Sequence, residues 1–362
     1  MVIRGWLGGV VAAFALYANA APLDVLLTAT PERLAPGGFL DLGAQRMNGA
    51  LDVFKVREND PLTAGTKAGD YHDVYISGGY PMTEALWLFG RWGRSTLSST
   101  SDNYRYTNWS VAGQYRWTEA MGAWPTVATR LSAWGNYADF TESTTAVVVP
   151  GARLNTVKIT EPADQQVQID VIGSWSVTPV STVSAFLSLG RSQLSYGALS
   201  ATTTRNGCDY NVTFTGNDIY GVLAPPCAVV GGVIEQFYDS SGDYGVDVAS
   251  EIAWRGTFAQ AGVNRSWQHG PWTWQAGYMV HWVQRDGVDR ILKARGKTPY
   301  KLNQNATFQA TYRFQPHVSV FARGQLTSNL FFNDIPVTYN SSTSERFKSR
   351  YSLFTLGLRA EF

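Results

Sequence analysis

After its first twenty residues, the sequence has no apolar run approaching the ~20 residues that a membrane helix requires, which excludes helical spans. Charge is scarce too: charged residues make up 16% of the chain, against roughly 25% in ordinary soluble domains. Lys and Arg total 29 and Asp and Glu 28, giving a net charge of +1, so no bulk attraction to nucleic acid is expected. Only two cysteines and four histidines are present, with no zinc-ligand spacing. No metal or other cofactor is therefore expected.

Aromatic residues, by contrast, are abundant at 13%, with 13 Trp and 35 Gly, yet mean hydropathy is −0.14. A chain can be both aromatic-rich and unremarkable in hydropathy when half of each strand faces lipid and half faces water. The segment "MVIRGWLGGVVAAFALYANA" combines Arg4, an apolar stretch from Trp6 to Tyr17 and a small-x-small Ala18-Asn19-Ala20. This order is expected of a signal peptide spanning 1–20. Residues 21–37 then form a short N-terminal segment, either periplasmic or a plug, and residues 38–362 form the barrel.

Period-two runs bounded by turn signals recur along the chain. They are expected at 39–48, 72–80, 86–96, 106–118, 126–138, 165–177, 183–195, 243–268, 272–285, 305–314 and 318–330, with a last one at the C-terminus, twelve in all. The run 243–268 is too long for one crossing and is expected to stand proud of the membrane, with a bulge near Gly256. Connections alternate between short ("PMTEA", "TPVST", "HGP", "QPH") and long (49–71, 139–164, 196–242, 286–304, 331–346). That alternation suits a barrel with short periplasmic turns and long extracellular loops. Trp92, Trp117, Tyr137, Trp175, Trp254, Trp272, Trp274, Trp282 and Tyr312 fall at the ends of lipid-phase runs and are expected to form interfacial girdles.

The final residues "YSLFTLGLRAEF" place Phe354, Leu356, Leu358, Ala360 and Phe362 in one phase. On this stripe the sequence resembles bacterial outer-membrane β-barrel proteins, which end in an alternating apolar strand closed by an aromatic residue. The resemblance implies an all-β, up-and-down antiparallel barrel and recognition of the terminal stripe by the barrel assembly machinery. It further implies contact with outer-membrane lipid and lipopolysaccharide.

Once the lipid phase is set, alternation assigns the inward one. Inward charges are then Arg91, Arg116, Arg130, Arg255, Arg285, Arg313, Arg323 and Arg359, against Asp41, Asp170, Asp247, Glu251 and Glu361. Arg presents a permanently charged planar fork suited to anions. Twelve-stranded channels for acidic sugars are similar in strand number and arginine tracks. The expected function is a channel for small anionic or sugar-like solutes. A closed structural or export-linked barrel, with the arginines paired to the acids, is the alternative. His281 is the one histidine well placed in the inward phase, and a lipid-modifying hydrolase built on it is the enzyme alternative. The protein is read as a non-enzyme.

Cys208 and Cys227 are expected to form a disulfide closing an unusually apolar loop. That loop could fold into the mouth or stand outward, and the inward option is favoured. Oligomeric state is not legible.

Overall fold

The computed structural model describes residues 24–29, 37–47, 70–98, 103–119, 124–143, 147–149, 152–225, 227, 234–244, 247–328, 339, 344 and 350–362. The expected signal peptide and most of the loop 49–71 lie outside these residues. Helix α1 (Asp24–Thr28) comes first, followed by β1 (Phe39–Met47), β2 (Asp70–Pro81), β3 (Leu86–Ser98), β4 (Asn103–Thr118) and β5 (Thr126–Tyr137). Three short strands follow: β6 (Phe140–Ser143), β7 (Val147–Val149) and β8 (Ala152–Thr160). Next come β9 (Ala163–Thr178), β10 (Ser181–Ser195), β11 (Leu199–Arg205), β12 (Cys208–Thr215), β13 (Asp218–Leu223) and β14 (Gln236–Ser240). The rest is α2 (Val248–Ile252), β15 (Arg255–His269), β16 (Trp272–Arg285), α3 (Val288–Ala294), β17 (Leu302–Gln315), β18 (Val318–Ser328) and β19 (Arg350–Glu361).

Twelve of these strands close into an antiparallel barrel in the order β1-β19-β18-β17-β16-β15-β10-β9-β5-β4-β3-β2. Antiparallel up-and-down pairing needs only tight turns at one end, and these are found at 179–180, 270–271 and 316–317. Outward positions are apolar and exposed, as with Val167, Ile169 and Val171 on β9, whereas the alternate Gln166, Gln168 and Asp170 are buried. Exposed apolar side chains in such numbers are stable only against lipid.

Closure occurs where β1 meets β19, with Phe39 opposite Glu361 and Arg46 opposite Phe354. Terminal Phe362 donates its N–H to the Gly38 carbonyl (3.2 Å). Its ring stacks on Tyr80 with centroids 6.4 Å apart. The aromatic terminus thus seals the seam at the periplasmic rim.

Four sequence expectations require correction. Residues 243–268 are not one strand: a 3₁₀ turn (Ser241–Tyr244) and α2 precede β15. Asp247 breaks the extended run by capping α2, accepting a hydrogen bond from the Ser250 amide. Trp254 does not belong to the lipid girdle, because it is 4% exposed and faces the interior. Loops 139–164 and 196–242 are largely structured, forming a second sheet of β14-β13-β12-β11-β8-β6 with β7 on β8. Cys208 of that sheet and Cys227 form the disulfide, and residues 208–223 run as the β12–β13 hairpin rather than as an irregular loop. The hairpin buries Tyr210, Val212 and Phe214 against its own sheet and against Val248 of α2, which accounts for the apolar character of the loop.

At the seam, Arg359 donates to both carboxylate oxygens of Asp41 (2.7 and 2.8 Å), and both residues are buried. Removing one partner of a buried pair leaves an uncompensated charge and costs about 3–5 kcal/mol. Arg359→Ala should therefore lower the unfolding free energy of the refolded barrel, read by urea titration, by that amount. Arg359→Met combined with Asp41→Leu should recover most of the loss.

Candidate functional site

The interior is organised in three layers. At the extracellular end, inward side chains from many strands form an apolar cluster that includes Met47, Tyr71, Leu97, Trp134, Trp254, Phe258 and Tyr351. Helix α3 lies on this cluster through Val288 and Leu292, both fully buried. Arg285, at the top of β16, fixes the helix: its guanidinium bonds Asp289 at 3.2 Å and the Tyr300 carbonyl at 3.1 Å. It also lies 4.1 Å above the Tyr339 ring. From α2, Glu251 pairs with Arg295 at 2.5 Å.

The middle layer is polar. Gln168, Ser192, Gln260, Asn303 and Asn305 all turn inward and are buried. Among the described residues, Gln168 Oε1, Ser192 Oγ, Gln260 Oε1, Asn305 Nδ2 and both amide atoms of Asn303 have no hydrogen-bond partner. Buried polar atoms without protein partners are the kind that water satisfies.

The periplasmic half contains α1. Val25, Leu26 and Ala29 pack against Ala128, Ile172, Phe186 and Met279 of the wall. Three amides donate to the segment's carbonyls: Gln114 to Ala29 (3.2 Å), Asn264 to Leu26 (2.5 Å) and Gln275 to Leu27 (3.0 Å). Arg130 donates to the Thr28 hydroxyl. At Gly277 an added Cβ would lie 2.9 Å from a Leu26 methyl, so the Leu26 side chain would have to shift.

Beside α1 is a cavity of about 40 Å³ lined by Arg91, Arg130, Arg323 and Arg359 together with Asp41 and Gln309. Their surroundings differ. Arg91 meets Asp73 at 2.6 Å, and Asp73 also accepts from Ser95 (3.1 Å) and Asn108 (2.9 Å). Arg359 is held by Asp41. Arg130 lies over the Phe89 ring at 4.6 Å, in register with Asp170, which accepts from Gln168 at 2.5 Å. Arg323 donates to the neutral Gln309 at 2.9 Å. Gln309 in turn donates to Gln275 at 3.3 Å, which holds Leu27.

The remaining expected residues are scattered. Arg116 lies at the periplasmic rim, bonded to the Glu84 carbonyl (2.7 Å) and 3.5 Å from Glu119. Arg313 lies at the same rim, 3.4 Å from Glu361. Three assignments to the lumen wall are corrected. Arg255 is exposed on the outward phase of β15, where Gly256 and Phe258 take the inward positions. Asp247 is a helix cap and Glu251 a helix residue, both belonging to the extracellular cap because the sequence there is helical. His281 is buried, with Nδ1 3.4 Å from Gln260 Nε2 and its ring 5.2 Å from that of Phe258.

Sequence reasoning missed Asp73 and Asp289. Alternation with Tyr71 and Tyr75 could have placed Asp73 inward. Asp289 lies on a loop helix with no periodic signal. Without Arg255, Asp247 and Glu251, and with these two and the buried Asp164 of β9 counted, seven arginines face six acids.

Apolar outside, polar within, closed on itself, with short turns at one end and long loops at the other, the chain has the architecture of a membrane-spanning β-barrel of the bacterial outer-membrane type. No protein-family profile and no curated protein sequence matches it. Among solved structures it is similar to the translocator domain of the autotransporter NalP from Neisseria meningitidis (11% identity, all of both chains, TM-score 0.48). It is also similar to the NanC porin (9% identity, 89% of this chain and 100% of that one, TM-score 0.42). A third is the CymD monoaromatic hydrocarbon channel (12% identity, 96% of this chain and 94% of that one, TM-score 0.40). Overlap this loose adds nothing to what the strand register already establishes.

Each neutral hydrogen bond contributes about 1 kcal/mol net, so Asn264→Ala and Gln275→Ala should each release residues 24–29 about fivefold more often. The labelling rate of a Thr28→Cys variant by a soluble thiol reagent measures this release. In the extracellular cap, desolvation pushes the Asp247 carboxyl up, but hydrogen bonds from Ser250 and Asn217 and the charge of Arg290 outweigh it and leave it below its ordinary value. A depressed carboxylate stabilises the fold above the unfolded pKa near 3.9, and that stabilisation is lost as pH falls through the folded value. Hydrogen-exchange protection of 248–252 should accordingly persist at neutral pH and collapse first in acid, and Asp247→Asn should flatten that dependence.

Proposed function

We propose that the protein is an outer-membrane channel for small polar solutes, shut in this conformation by residues 24–29 on the periplasmic side and by α3 on the outer side. The observation that carries this reading is that the periplasmic half is occluded by an inserted segment rather than by wall side chains alone, while at the outer end α3 lies on the wall's apolar cluster. The periplasmic segment is held by four side-chain donors and by the packing of Val25, Leu26 and Ala29, and a polar layer with hydrogen-bonding capacity to spare lies between the two closures. A barrel with a purely structural role would be filled from its own strands. An anion preference is assigned to Arg323, whose guanidinium bonds the neutral amide of Gln309. Arg91 and Arg359 are already matched by Asp73 and Asp41. The same reading assigns residues 1–20 to export and the stripe from Phe354 to Phe362 to the barrel assembly machinery.

The competing closed-barrel reading draws support from those matched pairs, and bilayer conductance separates the two. The parent barrel should be nearly silent. Deleting residues 21–29 and replacing Leu292→Asn should produce steady conductance with an anion-preferring reversal potential, and Arg323→Gln should bring that potential toward zero. A relieved barrel that is folded, as judged by heat-modifiable gel mobility, yet still silent would leave the closed structural barrel as the answer.

A further inference from the structure

The outward face of β1–β4 changes character near its extracellular end. Arg46 is in register with His72, His72 with Thr96, and Thr96 with Arg105. All four positions share the outward phase, and Arg46, His72 and Arg105 are exposed. One row toward the periplasm, Arg94 is in register with Val74 and Thr107, also outward and exposed. Its guanidinium lies 5.8 Å from the Trp92 ring. Among the described residues, no acid pairs with Arg46, Arg94 or Arg105.

The next row toward the periplasm is Leu42, Ile76, Trp92 and Trp109, followed by Leu40 and Val111, with no charge among them. The basic positions therefore border the lipid-facing band. An unpaired arginine there is stable only against water or an anionic headgroup. With strands ~4.8 Å apart, Arg46 to Arg105 spans about 14 Å. Arg94 is displaced by one same-face step of about 7 Å along the strand. That spread is too wide for a single phosphate and suits two phosphates on one headgroup, with acyl chains lying down the apolar rows beneath.

We infer that the outer ends of β1–β4 form a docking site for a phosphorylated glycolipid of the outer leaflet, with Arg46, Arg94 and Arg105 on its phosphates and Trp92 and Trp109 beneath its acyl chains. This inference rests on the membrane barrel and is independent of whether the lumen conducts.

The test uses the refolded full barrel in phosphatidylcholine nanodiscs doped with lipid A or with dephosphorylated lipid A. Lipid retained per barrel after transfer to detergent is counted by native mass spectrometry. Each guanidinium near a charged surface contributes about fivefold in affinity, so R46Q/R94Q/R105Q should weaken lipid A retention on the order of 100-fold. The Lys triple variant should keep most of it, showing that folding is intact and that charge is what matters. R191Q/R255Q, which removes the outward arginines nearest the extracellular ends of β10 and β15, should have little effect. Undiminished retention in the Gln triple variant, equal retention of dephosphorylated lipid A, or an equal loss in R191Q/R255Q would each overturn the site.

Discussion

Everything in this molecule depends on closing one seam. In hydrocarbon an unpaired strand edge forfeits several kcal/mol for each exposed backbone group, so β1 and β19 must find each other although they lie at opposite ends of the described barrel sequence. Backbone pairing from Phe39–Glu361 to Arg46–Phe354 supplies the hydrogen bonds but is indifferent to register. Register is set by side chains: a slip of one residue would turn Asp41 and Arg359 into lipid and Leu40 and Leu358 inward. The buried pair makes that slip prohibitive, and Phe362 against Tyr80 fixes the periplasmic end.

Closure also sets the interior's problem. A twelve-stranded barrel encloses more space than its own inward side chains fill and less than an open porin. The structure fills it unevenly. Large apolar and aromatic residues crowd the outer third, amides and hydroxyls occupy the middle, and residues 24–29 take up room in the periplasmic third where the wall offers small residues such as Ala128 and Gly277. Glycine at 277 and an apolar Leu26 are complementary choices, since a Cβ at 277 would push on the Leu26 methyl and a charge at 26 would be buried without a partner.

The barrel was legible in the sequence because period-two alternation over ten or more residues has few physical readings, and loop lengths that alternate long and short have fewer. Phase errors arose where alternation failed. Trp254 and Arg255 were assigned opposite faces from those they occupy because the run 243–268 was extrapolated through a helix. Asp247, read as a wall acid, was instead the signal that ended the strand. The interior ion pairs were only half legible. Alternation places a charge inward but does not reveal which acid on a neighbouring strand meets it, so Asp73 went uncounted and the positive lumen was overstated. The second sheet was invisible for a different reason. Its strands are short, threonine-rich and built on loops, and their apolar faces are covered by one another rather than by lipid.

The attachment of residues 24–29 sets what any opening would require. Three amide-to-carbonyl bonds and the Arg130–Thr28 contact contribute about 1 kcal/mol each. Returning Leu26 and Val25 to water costs roughly 2 kcal/mol apiece. Together these hold the segment by several kcal/mol, so the unaided open population is on the order of 10⁻⁴ or less at 1.4 kcal/mol per decade. A ligand opens such an equilibrium only by its differential affinity for the vacated site. The side chains freed by departure, Arg130 and the Gln275–Gln309–Arg323 chain, are hydrogen-bond donors already aimed at carbonyl and hydroxyl oxygens. An oxygen-rich solute could replace the segment's contacts one for one, whereas an apolar solute would leave those donors stranded. Opening and solute preference would thus meet at Arg130 and Gln275, and a substitution at either that loosens the segment should also weaken the preference.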